Sequence, residues 1–222
     1  METLVEQLLR SPKAKLYIQQ AEALLREEAK KREAFYERIT EQQKTEFING
    51  EIIFHSPVKL KHNQASGLLF QLLNVHVGKH ELGFVGIEKI MTSLTRNDYE
   101  PDVCFFGREK YERFSADQMK FPPPDFIAEV LSDSTEQRDR GVKFEDYEAH
   151  GVVEYWIVDA EKRTIEQYIL RDQRYELLLK TWQGDIRSVA VRDFTIPVEA
   201  VFDERANLTA LNRLVGGAGM DE

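Results

Sequence analysis

Residues 125–159 read DFIAEVLSDSTEQRDRGVKFEDYEAHGVVEYWIVD, and this stretch decides the fold. Asp125–Leu131 is a short apolar run of strand length, and Val152–Asp159 is a second, strongly apolar and aromatic one. The residues between them, Ser132–His150, are polar with an amphipathic spacing that predicts a helix. Ser132, Ser134 and Thr135 offer N-caps for it. Gly151 stands where a helix-ending glycine belongs.

Working outward, Pro122-Pro123-Pro124 stops regular structure ahead of the first strand, so 107–124 reads as a charged loop. Before it, Phe84–Leu94 and Pro101–Phe106 read as strands joined by a turn over 95–100. His62–Val77 reads as a helix, with Ala65, Leu68, Leu69 and Leu72 at i, i+3, i+4 and i+7. Thr45–His55, TEFINGEIIFH, is a β-hairpin, because Asn49-Gly50 supplies the positive φ angles of a two-residue type I′ turn. Pro57 ends it. After residue 159, Thr164–Leu170 and Tyr175–Trp182 read as further strands. Residues 1–42 are charged and helical, with a loose apolar stripe that breaks near Ser11-Pro12. The expected fold is therefore α/β (α+β): a mixed sheet flanked by helices, preceded by an N-terminal helical extension. The expected boundaries are 1–42 for the extension, 43–215 for the domain and 216–222 for a disordered tail.

With 222 residues the chain can bury a sizeable core. At 42% apolar and 31% charged residues it reads as soluble and globular, and no apolar run is long enough to span a bilayer. The opening METLVEQLLRSPKAK carries acidic residues and no uninterrupted apolar stretch, unlike a secretory signal. The single cysteine, Cys104, excludes an intramolecular disulfide and a cysteine-based zinc cluster, and a reducing cytoplasm is the expected compartment. A net charge of −9 argues against a protein that coats nucleic acid, since non-specific affinity comes from Lys and Arg on phosphates. It argues less against an enzyme whose carboxylates hold a metal.

Glu129 sits inside the apolar run DFIAEVL. An ionised carboxylate there is costly unless paired, hydrogen-bonded or bound to a metal. Asp102 opens the apolar strand PDVCFF, and on neighbouring strands the two carboxylates could face each other. Two converging acids suit a hard cation such as Mg²⁺, which takes oxygen ligands and keeps several waters. A nearby lysine would complete such a site by orienting water and offsetting charge. Lys143 is the candidate, since Asp139, Lys143 and Tyr147 are spaced i, i+4, i+8 on one helix face. On spacing alone, a solvated Asp139–Lys143 pair is the commoner arrangement.

Pro101-Asp102, AEVLS (128–132), the helix with Asp139, Lys143 and Tyr147, and GVVEYWIVD (151–159) together resemble the Uma-type family of restriction-like endonucleases, within the PD-(D/E)XK nuclease superfamily. The hairpin segment INGEII (48–53) and His62 are also similar to it, and the resemblance covers roughly residues 45–205. It implies a restriction-endonuclease-like core with the acids at one edge of the central strands. It implies an endonuclease hydrolysing phosphodiester bonds, with DNA as the nucleic-acid substrate. Asp102 and Glu129 would be Mg²⁺ (or Mn²⁺) ligands, together with the Val130 backbone carbonyl. The superfamily's usual lysine lies two residues after the glutamate, where this chain has Leu131, and the resemblance implies that Lys143 replaces it. Asp139 and Tyr147 would hold Lys143 in place. Glu51 and His62 read equally well as edge members of the site or as a hairpin surface acid and a helix-start cap. Nucleases of the superfamily commonly act as homodimers, and the extension 1–42 is a candidate dimerisation element. The alternative of a different class is a catalytically inactive interaction module that keeps the nuclease fold.

The remaining features weigh less. His76 and His80 lack an HExxH motif and a third ligand, which favours packing. Cys104 alternates with buried positions, and Tyr155 and Trp156 read as core. Lys59, Lys61, Lys89, Arg96, Arg138 and Arg140 either line a phosphate path or are scattered over a solvated surface.

Overall fold

The computed structural model describes residues 3–40 and 43–216. Of the tail expected over 216–222, Gly216 ends a helix and the rest lies outside the described residues. Two helices open the chain: α1 (Leu4–Arg10), with a Thr3–Glu6 capping box, and α2 (Ala14–Arg38). The break between them falls at Ser11-Pro12, as the sequence suggests. No residue of α1 is buried and only Phe35 of α2 is. The hairpin follows as β1 (Thr45–Ile48) and β2 (Glu51–Phe54), with Asn49 and Gly50 both at positive φ. Then come α3 (Leu60–Lys79), β3 (Gly83–Ile87), β4 (Met91–Ser93), β5 (Asp98–Tyr99), β6 (Val103–Gly107), the short α4 (Arg108–Tyr111) and β7 (Lys120–Phe121). The central segment forms β8 (Phe126–Val130), α5 (Glu136–Asp139), α6 (Val142–Ala149) and β9 (Glu154–Asp159). The chain continues through β10 (Thr164–Arg171), β11 (Arg174–Thr181), β12 (Asp185–Arg187), β13 (Thr195–Pro197) and a 3₁₀ turn over Val198–Val201, and ends in α7 (Glu204–Gly216).

The main sheet has the order β11-β10-β9-β8-β6-β3. Its one parallel pair is β8–β9, joined by the α5–α6 crossover. Every residue of β8 and β9 is buried, which is why both read as near-continuous apolar runs. One face of the sheet packs against α3, α7 and the 3₁₀ turn through Leu69, Leu72, Trp156 and Val201. The other face carries Ile127, Tyr155 and Ile157, with Tyr147 of α6 packed on them. A smaller sheet, β2-β1-β5-β4-β7, stands beside it.

Two expected elements are divided. The strand expected over 84–94 is β3 plus β4, in different sheets, because Glu88 adopts φ +53° and Ile90 N–H donates to the Glu88 carbonyl in a tight turn. The helix expected over 132–150 is α5 plus α6. Gly141 leaves the helical region (φ −116°, ψ −104°), at a place where a Cβ would meet the Gln137 carbonyl at 2.8 Å. The turn over 95–100 contains β5, and the loop over 107–124 contains α4 and β7.

The second half of α2 is tied to the smaller sheet. Arg32 donates to both Asp98 carboxylate oxygens (2.6 and 2.7 Å), and Tyr36 OH donates to the same carboxylate. Phe35 is buried against Phe47 and Met91, a contact worth about 1.5–3 kcal/mol of apolar burial. Among the described residues no helix is long and apolar enough to cross a membrane.

Candidate active site

The antiparallel register of β6 on β8 pairs Val103 with Ala128, so Asp102 and Glu129 fall opposite each other one step further on. The Asp102 N–H points at Glu129 Oε2 (3.4 Å). Asp102 Oδ1 accepts from Lys44 Nζ at 2.7 Å, and Oδ2 accepts from the Val130 N–H at 2.8 Å and lies 3.3 Å from His62 Nε2. Glu129 Oε1 accepts from Lys143 Nζ (3.0 Å) and Tyr147 OH (2.9 Å). Lys143 also contacts Glu46 Oε1 at 3.0 Å and Asp139 Oδ1 at 3.3 Å. Although Gly141 breaks the helix, Asp139 at the end of α5 and Lys143 and Tyr147 on α6 still face β8. Tyr155 OH fixes the end of α5 by donating to the Asp139 carbonyl at 3.0 Å.

These groups line a cleft of about 560 Å³ whose walls include Lys44, His62, Asp102, Glu129, Asp139 and Lys143. Around this cleft four carboxyl groups (Glu46, Asp102, Glu129 and Asp139) meet two lysines in a place of low exposure.

The family model described as "Uma2: Putative restriction endonuclease" matches residues 32–199. The chain belongs to this family. An uncharacterized protein of Synechocystis sp. is 32% identical over 129 residues, covering 57% of this chain and 72% of the relative. The crystal structure of a "putative nuclease belonging to DUF820" from Anabaena variabilis superposes with a TM-score of 0.65 at 17% identity. That match covers 80% of this chain and 96% of the other, and at such identity it bears on the fold alone. The Uma2 span begins at Arg32, so it takes in the Arg32, Phe35 and Tyr36 anchors of α2 and leaves the first half of that helix outside.

Electrostatics in this Uma2-family cleft follow from burial and pairing. Burial pushes the Glu129 carboxyl up to about 8, against the pull of Lys143 and with the help of Asp139, Asp102 and Glu46. Burial would raise Asp102 as well, but Lys44 and His62 outweigh it and hold that carboxyl well below the usual range. Glu46 is likewise brought down to about 2 by Lys143 and His55 against its burial. Burial alone would lower Lys143, yet Glu129, Glu46 and Asp139 outweigh it and keep the ammonium protonated. Burial would lower His62, but its hydrogen bond to Asp102 and the attraction of that charge together outweigh it and raise the imidazole.

The structure gathers Asp102, Glu129, Lys143, Asp139, Tyr147 and His62 in one cluster, with the Val130 N–H bonded to Asp102. Lys143 is 2% exposed, so its pairing with Asp139 is not a solvated surface bridge. Glu51 lies apart: it is exposed on β2, opposite Ile48 at the turn end of the hairpin. Glu46 occupies the same hairpin face two residues from Ile48, about 7 Å further along. Glu46 and Lys44 are the members that sequence reasoning passed over. Glu46 carried a weaker form of the signal used for Glu129, since only Phe47 and Ile48 beside it are apolar and polar residues precede it. Lys44 carried none, since a lysine before a strand is ordinary.

Among the described residues no group of three or more His, Cys, Asp and Glu side chains converges as a metal cage. Asp102, Glu129 and Asp139 all line the cleft, and carboxylate oxygens are donor chemistry for a hard cation that retains water. Of the basic residues considered for a phosphate path, Lys59 lines the cleft, while Arg96 pairs with Glu28 on α2 and Arg140 with Glu136 and Glu166. His76 packs on His80 and Phe194 and bonds to the Arg192 carbonyl. Cys104, Tyr155 and Trp156 are core residues.

Proposed function

We propose that this protein is a divalent-metal-dependent endonuclease that hydrolyses phosphodiester bonds in DNA, working in the cytoplasm as a homodimer. What supports the reading is the meeting of Asp102, Glu129 and Lys143 in one cleft of a chain from the Uma2 family. The two carboxylates, with the Val130 carbonyl, would hold Mg²⁺ or Mn²⁺, and water would complete the shell. When bound, the cation would polarise a phosphoryl oxygen and acidify an attacking water. Lys143 contributes a fixed positive charge. Its ammonium stays protonated between Glu46, Glu129 and Asp139, so it offsets the charge developing on the phosphate and is no base. Asp139, Glu46 and Tyr147 hold that charge in place, Tyr147 through Glu129. Lys44 neutralises Asp102 in the absence of a cation and can swing to a substrate phosphate once the carboxylate is otherwise occupied.

The homodimer reading rests on α1 and the first half of α2, where Leu4, Leu9, Leu16, Leu24 and Leu25 are all at least half exposed. The test of the metal site is a Mn²⁺ titration by calorimetry on the wild type and on D102A/E129A. Saturable binding by the wild type that the double variant loses is the expected outcome. A wild type that binds no Mn²⁺ would leave the interaction module as the better account.

A further inference from the structure

Three depressions run into one another across the surface beside α5 and the β9–β10 turn. The candidate active cleft shares Lys59, His62, Ser132 and Asp133 with a second depression of about 270 Å³. The second contains Lys61 and Lys162, and Lys162 is also a wall of a third, of about 690 Å³. The third holds Arg163, Arg213 and Trp182, whose indole is 66% exposed just past the end of β11.

We infer that this path carries an unpaired nucleic-acid strand away from the cleft, with a base stacked on Trp182. The inference rests on the nuclease reading and narrows its substrate to DNA with a single-stranded flank. Two features select an unpaired strand. An exposed indole offers a flat face that only an unpaired base can cover. The lysines along the path are each matched by an acid, Lys59 by Asp133, Lys61 by Glu161 and Lys162 by Asp159, so the path has little net charge for a duplex backbone. Lys59–Asp133 and Lys61–Glu161 are exposed at both ends and weak enough to open for a passing phosphate, and the Lys162 side chain is itself exposed. Stacking, rather than charge, then supplies most of the affinity. Counterion release on single strands contributes a slope of about −0.7 per contact, so the three lysines with Arg163 and Arg213 predict a salt dependence no steeper than about −3.5.

The chain reports on this directly. It has two tryptophans, and Trp156 is buried with its indole N–H on Glu154, so the solvent-sensitive emission comes from Trp182. The full-length protein is titrated in EDTA with an end-labelled oligothymidylate and with a blunt duplex, reading tryptophan emission and label anisotropy. Expected are quenching by the single strand, tighter binding of it than of the duplex, and a loss of about five- to one-hundred-fold in single-strand affinity for W182A. Since Trp182 is exposed, the variant folds as the wild type does. K61A/K162A is expected to weaken the same binding and flatten its salt slope. Single-strand binding unchanged in W182A, or no binding by the wild type, would overturn the path. Nicking with Mn²⁺, of a plasmid and of a duplex with a single-stranded flank, is scored separately. Nicking with unchanged binding in W182A refutes the path and leaves the nuclease standing. Trp182-dependent binding without nicking upholds the path and refutes the nuclease.

Discussion

E129Q is expected to make the protein more stable and at the same time inactive. In the folded chain Glu129 titrates near 8, against an ordinary value of 4.5. Between those values the folded state binds more protons than the unfolded state, so stability falls as pH rises across the window. At about 1.36 kcal/mol per unit, ionising Glu129 in the fold costs at most roughly 5 kcal/mol by the alkaline end. Water in the cleft raises the local dielectric, and we expect about 2 kcal/mol or more of that cost in practice. A glutamine keeps an oxygen for Lys143 and Tyr147 and carries no charge, while Lys143 retains Glu46 and Asp139. Urea denaturation of both proteins in EDTA, at about pH 5 and about pH 9, measures the difference. The two should be nearly equal in acid, and E129Q should be the more stable in alkali. A difference that does not grow with pH, or a variant less stable at about pH 9, would refute this reading of the buried charge.

The reverse holds for K143M, which leaves Glu46, Glu129 and Asp139 facing one another without their cation. A loss of roughly 3–5 kcal/mol near neutral pH is expected in thermal or urea melts, easing as the solution is acidified. R32A removes the clamp on buried Asp98 and should cost about 2–4 kcal/mol. It should also raise hydrogen exchange in the second half of α2. E154A strips the acceptor from Trp156, Gln167, Ser188 and the Val189 and Ala190 N–H groups, and a loss of about 3 kcal/mol or more is expected by denaturation. L16K/L24K should convert a dimer to a monomer in light scattering while leaving the melting temperature of the domain unchanged; a wild type that is already monomeric would remove the homodimer.

The fold was legible where local chemistry and tertiary role agree. Asn49-Gly50 has one good backbone solution, and it is the one found. The apolar runs around Glu129 and Tyr155 are continuous because a parallel pair buries both faces, and Gly151 stops the crossover at φ +76°. Legibility failed where a break hides inside compatible residues. Glu88 turns the chain between two β-rich segments without glycine or proline to announce it, and Gly141 sits in a polar stretch whose helical periodicity resumes in phase. In the site, a carboxylate embedded in an apolar strand was the informative signal. It singled out Glu129, but in the hairpin each glutamate stands at or next to the start of its strand with no apolar residue directly before it, so the signal does not separate Glu46 from Glu51. Lys44 reaches Asp102 across 58 positions of sequence, a contact that only the arrangement of the two sheets creates.

Nicking of a plasmid and of a duplex with a single-stranded flank, in Mg²⁺ or Mn²⁺, bears most directly on the central claim, with wild type, E129Q and K143M assayed side by side. The account predicts metal-dependent nicking by the wild type, abolished by EDTA and in both variants, with E129Q still folded. Nicking that survives in E129Q, or a folded wild type that nicks no DNA with either metal, would contradict it.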